Sequence, residues 1–234
     1  MRCNRVLSAF TLICCLLVPW SAAAEISEAV VAVGFSTGDT QKGVPAGWEL
    51  DRKTGTASLR LVWDGEAYCL NMVSDQSSFG IKRAMKLNIR EYPYLIWTWK
   101  VSKLPPGGDV RKSEVDDQAA QIYLAFPAKG FPAKLNTPII GYIWDNEAPK
   151  EWTGRSGQLG GGKMRYVVIR NKVDKIGHWY TEKRNIYQDY QKLFRDLHGG
   201  EPTGPTQGIS LYINSQHTRS AAECSIGDIF FSRQ

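Results

Sequence analysis

Eight short stretches of β-branched and aromatic residues recur along the chain, each closed off by residues that break regular structure. They read ASLRLVW (57–63), AYCLNMVS (67–74), LIWTWKV (95–101), AAQIYLAF (119–126), PIIGYIW (138–144), RYVVIRN (165–171), GISLYIN (208–214) and DIFFS (228–232). Between them lie LPPGGD, PAKGFPAKLNTP, GRSGQLGGGK and GGEPTGPTQ, rich in Gly and Pro. Most of the runs alternate apolar and polar side chains with period two, the spacing of a strand with one buried face. Many short strands so punctuated predict an all-β chain, an antiparallel two-sheet sandwich of jelly-roll type. One segment departs from this. In TEKRNIYQDYQKLFRDL (181–197), Ile186, Tyr190, Leu193, Phe194 and Leu197 fall at helical spacing, which predicts one amphipathic helix capped by Thr181 and ended by Gly199 and Gly200.

The N-terminus constrains where such a chain works. Arg2 and Arg5 precede an apolar run from Val6 to Val18, and SAAA precedes Glu25, the pattern of a secretory signal cleaved after Ala24. The run is shorter than the ~18 to 20 residues of a spanning helix, and no other stretch resembles a membrane span. Cys14 and Cys15 lack the small preceding residue of a lipid-modified cysteine. The expected organisation is a signal at 1–24 and a single β-sandwich domain at 25–234, periplasmic or secreted. Losing Arg2 and Arg5 takes the 29 basic residues to 27 against 23 acidic ones, a net charge of +4. That is too mild and too evenly spread for nucleic acid. Of the five cysteines, only Cys69 and Cys224 lie beyond the signal, and two thiols in an oxidising compartment predict a disulfide.

Asp116 and Asp117 stand at the mouth of the AAQIYLAF strand and raise the question of function. Period two puts Ala120, Ile122, Leu124 and Phe126 on the core face and Asp117, Gln121 and Tyr123 on the other, with Asp116 in phase with the core set. Opposed carboxylates do not converge as a glycosidase pair must. They could accept backbone or Arg hydrogen bonds at a strand end, or, with Asp109 and Glu114, hold a structural calcium, although no regular calcium-loop spacing is present. They could also face a polar ligand. In PIIGYIW, Tyr142 and Trp144 share a phase and could stack a sugar ring or pack beneath the helix, whereas Trp97 and Trp99 share a phase with Leu95 and Val101 and are expected in the core. On the helix, Asp189 shares a face with Asn185, and Arg184 could reach Asp116 or Asp117.

Signatures of catalysis are thin. GRSG lacks the second glycine of a nucleophile elbow, GQLGGGK precedes a strand rather than a helix, and His178, His198 and His217 are scattered.

Several phrases taken together resemble the bacterial exported family called domain of unknown function 3047. These are GVPAGWEL, SFGIKR, YPYLIWTWKVSKLPPGGDVR, DDQAAQIYLAF, IGYIWDN, WYTEKRNIYQDYQKLF and GISLYINSQHTRSAAECSIGDIFFS. The resemblance runs from about Phe35 to Phe231. It implies an exported single domain and carries no activity. Where the family phrase is more acidic, this chain has NSQHT at 214–218, a weakened site if acids there serve a ligand or ion. The closing IGDIFF is also similar to the last hairpin of galactose-binding jelly rolls.

The leading expectation is an exported, non-catalytic β-sandwich that needs no cofactor and binds a glycan or cell-envelope component. Its ligand residues would come from Asp116, Asp117, Gln121, Tyr123, Tyr142, Trp144, Arg184 and Asp189. An envelope polysaccharide hydrolase using Asp116 or Asp117, and a structural or assembly protein of the periplasm, remain the alternatives. Neither oligomeric state nor ligand identity follows from these residues.

Overall fold

The period-two runs close into two packed sheets. A computed structural model describes residues 30–35, 38–41, 43–155, 157 and 163–234; the expected signal peptide lies outside the described residues. In chain order the elements are β1 (Val30–Val33), β2 (Thr40–Gln41), β3 (Val44–Pro45), β4 (Glu49–Thr54), β5 (Ser58–Trp63), β6 (Tyr68–Asp75), β7 (Ser78–Ala84), β8 (Tyr94–Lys103), β9 (Ala120–Ala125), the single turn α1 (Ala133–Asn136), β10 (Ile139–Trp144), β11 (Thr153–Arg155), β12 (Met164–Arg170), β13 (Tyr180–Asn185), α2 (Ile186–Leu193), β14 (Gly208–Asn214) and β15 (Ala221–Ser232). One sheet runs β13-β8-β15-β6-β5, with β1 beside β15; the other runs β11-β12-β10-β9-β14-β7-β4. The architecture is the expected sandwich with one amphipathic helix. Among the described residues one parallel pair, β10 with β12, interrupts the antiparallel order, because β12 returns beside β10 after the excursion through β11.

Each sheet gives its apolar phase to a common core. Trp97 and Trp99 on β8, Leu70 and Met72 on β6 and Ile226 on β15 meet Ile122 and Leu124 on β9, Leu211 and Ile213 on β14 and Tyr142 and Trp144 on β10. Tyr142 stacks on Trp97 at a ring-centroid distance of 5.4 Å, and Trp144 lies 5.7 Å from Trp99. Burying such rings away from water supplies much of the driving force for closing the sandwich.

The helix begins five residues later than its cap was expected. Tyr180–Asn185 is a strand, paired antiparallel with β8 from Tyr180↔Trp99 to Asn185↔Tyr94. Its side chains alternate between half-buried Tyr180, Glu182 and Arg184 and exposed Thr181 and Lys183, so strand periodicity and an open sheet edge override the helical reading. Asn185 is the true cap, its Oδ1 accepting from the Gln188 backbone N–H at 3.0 Å.

The expected disulfide is not formed: Cys69 and Cys224 are free and buried. The ladder explains why. Cys224 pairs with Met72, and Ile226 with Leu70, whose neighbour is Cys69. Cys69 is thus three positions out of register with Cys224, and an odd offset turns the two thiols to opposite faces of one sheet.

Candidate functional site

The best-formed candidate is the outer face of the seven-stranded sheet. Strand register sets Gly154 beside Tyr166, Tyr166 beside Gly141, Gly141 beside Tyr123 and Tyr123 beside Ser210, a row crossing five strands with rings and glycines alternating. In the next row Tyr212 lies between Gln121 and Gly80. The glycines let the rings lie down on the sheet. A Cβ at Gly141 would come within 2.8 Å of both the Tyr123 and the Tyr166 ring, and one at Gly80 within 2.2 Å of the Tyr212 ring. The Trp152 ring covers Gly154 in the same way. Tyr123 lies 6.4 Å from Tyr166 and 6.1 Å from Tyr212 between ring centroids, so three rings form a continuous track. Tyr166, 4% exposed, belongs with Val110, Ile143, Ala148 and Val168 to a small second core on this face, while Tyr123, Trp152 and Met164 stay partly exposed. Burial pushes the Tyr123 hydroxyl well above its ordinary pKa, so it remains a neutral donor.

A polar network closes one end of this track. The Tyr123 hydroxyl donates to Gln121 Oε1. Gln121 Nε2 donates to Asn214 Oδ1 at 2.6 Å, which also accepts from the Gln118 backbone N–H at 2.9 Å, and Asn214 Nδ2 donates to the Asp116 carbonyl at 2.7 Å. Gln118 Nε2 donates to Asp116 Oδ1 at 2.8 Å and lies 3.5 Å from Asp145 Oδ2. Asp145 accepts from the backbone N–H groups of Val110 at 2.9 Å and Ala148 at 2.6 Å. Burial outweighs those donors and raises its carboxyl from 3.8 to about 6.

The sequence-predicted residues divide among three places. Gln121, Tyr123 and Asp116 belong to the track and its network. Asp117 turns away: its Oδ2 accepts from the Thr218 backbone N–H at 2.6 Å and from Thr218 Oγ1 at 2.8 Å, and its Oδ1 has no hydrogen-bond partner among the described residues. The expected phases of the two aspartates are therefore exchanged, because β9 begins only at Ala120 and a one-turn 3-10 helix, Ser113–Val115, precedes Asp116. Tyr142 and Trp144 are 0% exposed and cannot stack a ligand; their phase is the core phase of β10. The Tyr142 hydroxyl donates to Asp189 Oδ2 at 2.8 Å. Arg184 does not reach Asp116 or Asp117. It donates from Nη2 and Nε to Asp189 at 2.9 and 3.1 Å and from Nη1 to Glu151 at 3.0 Å. Burial alone would lower the Arg184 pKa, and these two carboxylates more than reverse that. Arg184 and Asp189 therefore form a strut between the sheets rather than part of the track.

The acids named as calcium donors do not converge either. Asp109 is paired with Arg111 at 2.7 Å and Lys112 at 3.7 Å, and among the described residues no three His, Cys, Asp or Glu side chains are arranged to hold a metal. The sequence reading missed Tyr166, Tyr212, Trp152, Gln118 and Asn214. Their signal was present, since in RYVVIRN and GISLYIN the tyrosines stand out of phase with the core aliphatics. The neutral 214–218 segment also has a local role, since Asn214 donates to the Asp116 carbonyl and accepts from the Gln118 N–H, and Thr218 donates to the Asp117 carboxylate.

The profile of the family described as "Protein of unknown function (DUF3047)" matches residues 46–230. The chain belongs to this family. No curated protein matches this family member by sequence. Among solved structures its neighbours are carbohydrate-binding modules and glycoside hydrolases. The family 11 carbohydrate-binding module of cellulase Lic26A-Cel5E of Clostridium thermocellum is 9% identical, over 88% of this chain and 95% of that one, with a TM-score of 0.47. A non-crystalline cellulose specific module, CBM28, is 13% identical over 88% and 93%, with a TM-score of 0.38. The family 11 xylanase from Neocallimastix patriciarum is 10% identical over 88% and 100%, with a TM-score of 0.41. Likeness this distant says nothing about which ligand, if any, a DUF3047 member takes.

Proposed function

We propose that this chain is an exported, non-catalytic binding protein that holds a glycan, or an envelope component of similar hydroxyl-rich chemistry, against the outer face of the seven-stranded sheet. One observation carries the reading: Tyr123 stays partly exposed in a row of rings with Tyr166 and Tyr212, themselves 4% and 9% exposed, that the sheet lays flat with Gly141 and Gly80. Flat aromatic faces match the C–H faces of sugar rings. On the same face Ser210 is partly exposed beside Tyr123, while the buried Gln121 and Asn214, bonded to each other, hold that ring in place, and sites of this kind combine an apolar floor with a few placed polar groups. We adopt binding over hydrolysis because Asp116 and Asp117 point to separate internal partners instead of flanking one bond.

The test is binding of the exported protein to a glycan array and to purified cell-wall polysaccharide, with Tyr123→Ala and Tyr166→Ala compared with the parent. Loss of a stacking ring should weaken binding by about tenfold. Absence of any glycan binding by the parent, or full binding by both variants at an unchanged melting temperature, would refute the assignment.

A further inference from the structure

The loop between β9 and β10 places its most apolar side chain in water. Phe131 is 95% exposed and Leu135 49%, so two large apolar side chains stand together on one loop tip. The tip is nonetheless tightly built. The Lys129 N–H donates to the Asn136 carbonyl at 3.1 Å, the Leu135 N–H to the Pro132 carbonyl at 3.1 Å, Asn136 Nδ2 to the same carbonyl at 3.0 Å and Thr137 Oγ1 to the Ala133 carbonyl at 2.9 Å. Several of its backbone polar groups are thus satisfied within the loop. A self-bonded tip can enter a poorly hydrated layer without stranding those groups, which an open loop cannot do.

Charge selects the layer. From Gln118 to Trp144 the chain has no acidic residue, while Lys129 and Lys134 flank the phenylalanine. At the base of the same loop a cavity of about 130 Å³ is lined by Pro127, Lys129, Asn136, Pro138, Lys163 and Tyr190. Two ammonium groups and an amide at its wall fit a phosphate-bearing headgroup, with the exposed Phe131 and Leu135 at the depth of the acyl boundary.

We infer that this loop docks the protein on an anionic phospholipid surface, with Phe131 and Leu135 inserted and Lys129 and Lys163 at the headgroups. The site is separate from the tyrosine track, and its test is independent of glycan binding. The protein recovered from the envelope of an expressing bacterium, its N-terminus read by intact mass, is floated with vesicles of phosphatidylcholine alone and with vesicles containing phosphatidylglycerol. It should bind the second and not the first, and added salt should weaken the binding. Phe131→Ala should lower partitioning about tenfold or more, Phe131→Trp should preserve it, and Lys129→Glu with Lys163→Glu should abolish the lipid preference. Because Phe131 is almost fully exposed, the melting temperature should not move. Equal binding by the parent and Phe131→Ala, or no preference for the anionic vesicles, overturns the inference. So does a Phe131-dependent dimer in light scattering without vesicle binding, which assigns the tip to a second copy of the chain.

Discussion

Asp145 is the residue whose chemistry reaches furthest beyond its own contacts. It is 0% exposed at the end of β10 and ties Val110 and Ala148, which cover the outer sheet face, to Gln118 of the polar network. Its carboxyl holds a proton in the folded state up to about pH 6, whereas the unfolded chain releases it near 3.8. Between those values this carboxyl binds more protons in the folded state than in the unfolded one, so its contribution to stability falls as pH rises from about 4 to about 6 and levels off above. The change is of the order of 1 to 3 kcal/mol. Asp64, Asp109, Asp174 and Glu201 have lowered values, and their contributions are lost as pH falls below about 5, so they oppose the Asp145 effect at the acid end of this window and leave it clearest between about pH 5 and 6. Denaturant midpoints measured from pH 4 to 8 should show the decline, and Asp145→Asn should flatten it while lowering stability throughout, because one amide group then faces backbone donors. A flat profile in the parent protein would show that the carboxyl is already ionised and well solvated. No sequence pattern announces this behaviour. It comes from Val110 and Ala148 folding over the strand end, and only a long-range arrangement puts them there.

At the scale of elements, legibility followed periodicity. Every strand expected from a long alternating run is present, and Trp97 and Trp99 sit in the core as their phase with Leu95 and Val101 required. β7, β4, β11 and β13 were missed because they are short or largely polar, and pairing with a neighbour makes them strands. The same cause misplaced the helix start: Ile186, Tyr190 and Phe194 do form the buried stripe, but the TEKRN segment before them is taken by the open edge of β8. The site was half legible. Gln121 and Tyr123 lie on its face, whereas Tyr142 and Trp144 were assigned without knowing which side of β10 the second sheet covers. Thr181 and Asn185 separate the two readings experimentally. Asn185→Ala removes the cap bond and should cost about 1 kcal/mol in equilibrium denaturation. Thr181→Ala, at an exposed strand position, should stay within about 0.5 kcal/mol. The reverse order would mean that the helix begins where its apolar spacing alone suggested.

For the whole molecule, the question is what holds two large sheets together without a covalent tie between them. The aromatic core answers it: Trp97, Trp99, Tyr142 and Trp144 interlock across the gap, and Tyr142–Asp189–Arg184–Glu151 braces one side through hydrogen bonds. A disulfide between Cys69 and Cys224 would have closed a long loop and stabilised the fold by roughly 4 to 5 kcal/mol. The register forbids it, since both cysteines belong to adjacent strands of one sheet and face away from each other. Stability should therefore be indifferent to redox conditions, with unfolding midpoints in the presence and absence of a reductant agreeing within about 0.5 kcal/mol. Both thiols are also poor nucleophiles in the folded state, because burial raises their pKa values and so keeps the thiolate scarce. Alkylation followed by mass spectrometry should accordingly find Cys69 and Cys224 protected in buffer and fully modified in denaturant without prior reduction. If the two remained unmodified in denaturant until a reductant was added, the β6–β15 register would have to shift, and with it the side of the sheet on which each of these strands presents its residues.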